Sequence, residues 1–134
     1  SYTSFDLTNL SATPLSVGEN DNVTLRVMVH NTGAMHGATV VQVYFRVPVS
    51  RVVRIGSYQL GGFTKTPTIP AGGSVEARVV IPSKQFAYWD DGQNDNGVTP
   101  GWTLVPGPVK LFAGFAGFGT WDAPGGLMTQ VTVV

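Results

Sequence analysis

The sequence predicts an all-β fold, a two-layer β-sandwich of about seven to eight strands, formed by a single domain over residues 1–134. Three observations carry this. Wherever a hydrophobic period is clear it is two, and the apolar runs that show it are short. Nine prolines and seventeen glycines punctuate those runs, so no stretch keeps the 3.6 period of a helix. A chain of 134 residues has the usual size of one domain and can bury a core large enough to stand without staples, so the absence of cysteine costs it nothing.

The elements follow in order. In VTLRVMV at 23–29, Val23, Leu25, Val27 and Val29 alternate with Thr24, Arg26 and Met28, the pattern of a half-buried strand. In the run from 40, Val41, Val43, Phe45 and Val47 take one side while Gln42, Tyr44 and Arg46 take the other. Val75, Ala77, Val79 and Ile81 repeat the alternation past Glu76, Arg78 and Val80, and VKLFAGF at 109–115 and TQVTVV at 129–134 complete the set. Turn signals separate the runs at Asn31-Thr-Gly33, Pro70-Ala-Gly-Gly73, Pro82-Ser83 and Pro106-Gly107-Pro108. SKQFAYW at 83–89 allows one helical turn with Ser83 as its cap. Residues 90–101 and 118–126 read as long surface loops.

Composition excludes several function classes. Charged residues are 12% of the chain and the net charge is zero, so nucleic acid, which needs a clustered basic surface, is not an expected partner. No apolar run approaches the roughly 18 residues of a membrane span, so no membrane partner is expected. Without cysteine there is no thiolate zinc site and no thiol nucleophile. Glycoside hydrolysis needs two convergent carboxyl groups. The candidates are Glu76, Asp90, Asp91, Asp95 and Asp122, three of them in one Gly-rich loop that a solvated turn explains. His30 and His36 have no nucleophile in a recognisable motif, and His30 reads as a plain surface histidine. No catalytic residue is therefore expected.

Asp90, Asp91, Asn94, Asp95 and Asn96 supply oxygens of the kind calcium prefers, but the EF-hand spacing fails at Gly92 and Thr103. A hydrated loop is the expected reading, and no metal or other cofactor is called for. GFAGFG at 114–119 lacks the lysine and spacing of a phosphate-binding loop. Asn9-Leu-Ser11 and Asn22-Val-Thr24 fit the N-glycosylation pattern. With few charges and no free thiol, these two asparagines point to an extracellular protein of a fungus or another eukaryote.

Aromatics crowd the last third of the chain. Phe112 and Trp102 read as core filling, because their neighbours alternate, while Tyr88, Phe118 and Trp121 are the candidates for an exposed platform on which sugar rings could stack.

HNTG at 30–33, GATVVQVY at 37–44, PVSRVVR at 48–54, LGGF at 60–63, PAGGS at 70–74, FAYWD at 86–90 and WTLVPG at 102–107 occur in an order that resembles the fibronectin type III-like domain closing many family 3 glycoside hydrolases. SYTSFDLTNL at 1–10 is similar to the strand that leads into that domain. The likeness covers roughly residues 1–115. It departs from the family in a longer Asn- and Gly-rich segment after Asp90, in Ile55 where a proline often stands, and in FGTWDAPGG near the end.

The resemblance implies an immunoglobulin-like, fibronectin type III-like sandwich. It also implies that the nucleophile and the acid/base residue of the hydrolase lie in other domains. In such enzymes this domain packs against the sugar-hydrolase domains, which are then the expected partner, in cis or in trans. Tyr44, Arg46, Arg51 and Arg54, concentrated in VVQVYFRVPVSRVVR at 40–54, become the candidate docking residues, since Arg and Tyr are enriched at such contacts. Arginines that only keep a sheet edge soluble would look the same. The alternative function is a free-standing secreted module that binds cell-wall polysaccharide through the late aromatics.

Overall fold

The computed structural model describes residues 3–46, 59–90, 101–104, 106–115 and 126–134, and of 88–90 and 101–103 the backbone. Its elements are β1 (Phe5–Thr13), β2 (Ser16–Val17), β3 (Asn22–Asn31), β4 (Val40–Arg46), β5 (Gln59–Lys65), β6 (Ser74–Pro82), a 3-10 turn (Ser83–Phe86), β7 (Tyr88–Asp90), β8 (Gly101–Thr103), β9 (Gly107–Phe115) and β10 (Leu127–Val133). One sheet has the order β1-β3-β6 and the other β2-β10-β9-β4-β5, while β7 and β8 pair with each other. This is the expected sandwich: eight strands form its two sheets, and every pairing is antiparallel except β2 with β10.

Alternation sets which residues meet between the sheets. Val23, Leu25, Val27 and Val29 of β3 and Ala77, Val79 and Ile81 of β6 are buried against Val41, Val43 and Phe45 of β4 and Val109, Leu111 and Ala113 of β9. The Phe45 and Phe86 rings meet edge to face with centroids 5.1 Å apart.

Loop chemistry follows the turn signals. Pro70-Ala-Gly-Gly73 closes with Gly73 N–H donating to the Pro70 carbonyl at 2.8 Å, and Gly72 takes the positive φ of 75° that the third position of such a turn requires. The Asn31 side chain, buried, accepts from Gly33 N–H at 3.0 Å and so bends the chain at Asn31-Thr-Gly33.

The predicted cap at Ser83 is corrected. Pro82 occupies the cap position with no side-chain bond, while Ser83 is buried, and its hydroxyl accepts from Asp21 N–H at 3.2 Å. Ser83 N–H donates back to the Asp21 carbonyl at 2.8 Å, so Ser83 secures the turn before β3 and, as the first residue of the 3-10 turn, does not cap it. Within residues 83–89 the helical part is Ser83–Phe86, because the chain is extended again at Ala87 and enters β7. Asp90 and Gly101, the expected limits of a loop, are strand residues paired to each other, and residues 91–100 lie outside the described residues.

Candidate docking surface

The two outer faces of the sandwich differ in kind. On the three-stranded sheet the outward rows are Asp6–His30–Ser74, Thr8–Met28–Glu76, Ser11–Arg26–Arg78 and Thr13–Thr24–Val80. Several of these polar groups bond to one another. Arg78 Nε donates to Glu76 Oε1 at 2.9 Å, Arg26 Nε lies 3.8 Å from the same carboxylate, and Arg26 reaches the Thr13 hydroxyl at 3.3 Å. His30 is not the plain surface histidine expected. It is half-buried, and its two ring nitrogens meet the hydroxyls of Thr8, at 2.7 Å, and Ser74. The strand alternation did place it outward, but three strands in register surround it with hydroxyls.

On the five-stranded sheet the outward rows are Lys65–Val40, Phe63–Gln42–Gly114, Leu60–Tyr44–Phe112–Met128 and Arg46–Lys110–Gln130. The central row is apolar across four strands. Leu60, Phe63 and Met128 are 46%, 66% and 58% exposed, a large apolar commitment to an outer face.

A bulge in β5 creates this exposure. Val43 faces Gly62 and Tyr44 faces Leu60, so Gly61 is the extra residue. A Cβ on Gly61 would lie 2.9 Å from Ile81 Cδ1, and one on Gly62 2.8 Å from Val79 Cγ1. Both glycines therefore face the core, and both Leu60 and Phe63 are turned outward. Strict alternation would have sent one of the two large side chains inward.

Of the sequence-predicted docking residues, Tyr44 and Arg46 lie on this face. Tyr44 is half-buried, and its hydroxyl donates to Gln42 Oε1 at 2.9 Å. Arg46 stands directly opposite Lys110. Arg51 and Arg54 lie outside the described residues, as do Phe118 and Trp121 and the side chain of Tyr88. Asn9 and Asn22 are exposed and belong to the three-stranded sheet.

The core assignment of Phe112 is corrected. Val109, Leu111 and Ala113 point inward, which puts Phe112 outward beside Tyr44 and Met128. Sequence reasoning missed Leu60, Phe63, Lys110 and Met128. For Phe63 the available signal was the Gly-Gly pair, a bulge signature inside a strand.

Glu76 is held by arginines on an open face, and the Asp21 carboxylate accepts from Gly18 N–H at 2.7 Å within a turn. Asp91, Asp95, Asp122 and the side chain of Asp90 lie outside the description. Among the described residues no helix is long and apolar enough to cross a membrane.

The sheet order, the register and the strand at the end of the chain define a fibronectin type III-like fold, and the family model of the "Fibronectin type III-like domain" matches residues 39–116. The chain belongs to this family, in the form associated with family 3 glycoside hydrolases. It is 31% identical, over 87% of its length, to "Probable beta-glucosidase G" of Aspergillus terreus, and 30% identical, over 78%, to "Thermostable beta-glucosidase B" of Acetivibrio thermocellus. A solved β-glucosidase of Erythrobacter marinus superposes on 99% of the chain with a TM-score of 0.77 and 26% identity. The chain spans only 16% and 14% of the two curated relatives and 16% of the solved chain. In each of them the matching segment is one part of a longer polypeptide.

Proposed function

We propose that the chain, residues 1–134 taken as one domain, is a non-catalytic module that stabilises or positions the sugar-hydrolase domains of a family 3 glycoside hydrolase by packing against them in the same polypeptide. The observation that carries this is the apolar outer row Leu60–Tyr44–Phe112–Met128, with Phe63 beside it. Such a row adds little to a module standing alone in water, and burying it against a second domain releases its hydration. The length relation supports the same reading, since the matching segment is 16% of the Aspergillus terreus relative. We place the assembled protein outside the cell. Glycans on Asn9 and Asn22 would sit on the three-stranded sheet and leave the apolar face open.

The test is a graft. The matching segment of the Acetivibrio thermocellus relative is deleted or replaced by this chain, and the thermal inactivation of glucosidase activity is followed. Deletion should shorten the activity half-life severely and the graft should restore part of it. Turnover of an aryl glycoside by the isolated chain would overturn the reading. So would retention of the isolated chain on insoluble cellulose or xylan that is lost when Trp121 and Phe118 become Ala, which would favour the polysaccharide alternative.

A further inference from the structure

We infer that the surface that covers the five-stranded sheet is a face of the hydrolase domains on the same polypeptide, apolar at its centre and acidic at its edges, with carboxylates seated against Lys110, beside Arg46, in the row that flanks the apolar one on one side and against Lys65, beyond Phe63, on the other side. This rests on the packing function proposed above and specifies the chemistry of the partner.

The charge layout is the argument. The chain has eight basic and eight acidic residues, yet none of the outward positions described on this sheet is acidic, whereas Arg46, Lys65 and Lys110 all lie there. Arg46 and Lys110 are direct cross-strand neighbours, an arrangement of like charges that disfavours the isolated sheet. Arg46 is held by an interaction of its own, and Lys110 and Lys65 are exposed. The other outer face is built differently. There Glu76 lies between Arg26 and Arg78, so the face that meets water pairs its charges within the chain. A face that keeps cations of one sign around an apolar row is complementary to a partner that brings the opposite sign.

The same layout selects the occupant. A second copy docking by the same face would set cation against cation around the two-fold axis, which disfavours an isologous dimer. The remaining five-sixths or so of the relatives' length, in the same polypeptide, is present at high effective concentration and can carry the matching acids.

Four grafts into the Acetivibrio thermocellus relative test this: the unaltered chain, Lys65→Glu/Lys110→Glu, Phe63→Ser/Met128→Ser, and Arg78→Glu on the polar face as the control. The rate of protease cleavage at the module junction reports undocking. The charge-reversed graft should be cut about fivefold faster or more in low salt, with the difference shrinking in 0.5 M NaCl as screening shortens to a few Å. The isolated Lys110→Glu chain should melt at the same temperature or a few degrees higher, which separates docking from folding. Arg78→Glu should leave the cleavage rate unchanged, and the isolated chain should sediment as a monomer.

If charge reversal has no effect while Phe63→Ser/Met128→Ser speeds cleavage, the acidic edge is wrong and the packing function stands. If Arg78→Glu alone speeds cleavage, the module packs by its other face and the inference falls. If the unaltered graft is cut as fast as an unstructured linker, both the inference and the packing function fail. A dimer of the isolated chain, dissociated by Phe63→Ser/Met128→Ser, would make a second copy the occupant and overturn the inference.

Discussion

Asn31 shows how one side chain can close one end of the sandwich. Its amide nitrogen donates to the carbonyls of Met35 at 2.7 Å and Ile69 at 2.9 Å, and its oxygen accepts from the Thr3 hydroxyl at 2.8 Å and from Gly33 N–H at 3.0 Å. All four of its bonding positions are used while the residue is 1% exposed. Asn31→Ala should therefore cost about 3 kcal/mol, the order expected when several hydrogen bonds of one buried amide are lost together. Asn31→Asp should be no better and in neutral solution worse, because it replaces two donors with a carboxylate facing two carbonyl oxygens. Urea unfolding of the two variants checks this, and a milder loss for Asp than for Ala would contradict it. Thr3→Val removes the bond to Asn31 at the rim and should cost less than Asn31→Ala, about 1 kcal/mol.

At the scale of the element, the decisive feature is the bulge in β5. LGGF would read as a poor strand, since glycine carries no side chain to pack, but here two consecutive glycines let β5 close onto β6 at the edge of the sandwich. Gly62→Ala brings a Cβ to 2.8 Å from Val79 Cγ1, a contact that forces Val79 to move, and overpacking of this kind costs about 1–3 kcal/mol. Val79→Ala alone leaves a cavity and also destabilises. Combined, the two should cost less than the sum of the separate losses, by about 1 kcal/mol, as a double-mutant cycle would read it. Strict additivity would mean that β5 does not rest on Val79.

The same bulge explains what was legible in the sequence. Strands β3, β4, β6, β9 and β10 were readable because each keeps one apolar side, so their pairing buries what the alternation says it should. Alternation also carried Tyr44 and Arg46 to the outer face correctly. It failed where the period shifts, since a bulged strand has no single parity, and Leu60 and Phe63 cannot both be assigned by counting in twos. The bulge in β1 hid a positive φ of 57° at Asn9 in the same way. Phe112 was misplaced for a different reason. VKLFAGF carries a large apolar residue on each side, Leu111 on one and Phe112 on the other, and the pairing with β4 and β10 puts Phe112 in the outward row. Ser83 was misread because its partner, Asp21, is 62 residues away.

For the whole molecule the two outer faces set up a separation between what folds the chain and what the chain is for. The interior already holds Leu111 at 0% exposed, and Leu111→Ala should cost about 2–5 kcal/mol in the isolated chain. Phe63 and Met128 on the opposite side of the same sheet keep more than half their surface in water, so Phe63→Ser and Met128→Ser should each change stability by only about 0.5 kcal/mol or less. An apolar side chain whose removal leaves folding unchanged contributes to stability only when something else covers it. The substitutions should therefore reduce the binding of a hydrophobic dye to the isolated native chain while its melting temperature stays within about 2 °C. Calorimetry and dye fluorescence on the same samples decide the matter. A loss of several degrees from either substitution would show that the row is part of the module's own core, and an unchanged dye signal would show that the row is not the exposed apolar surface of this protein.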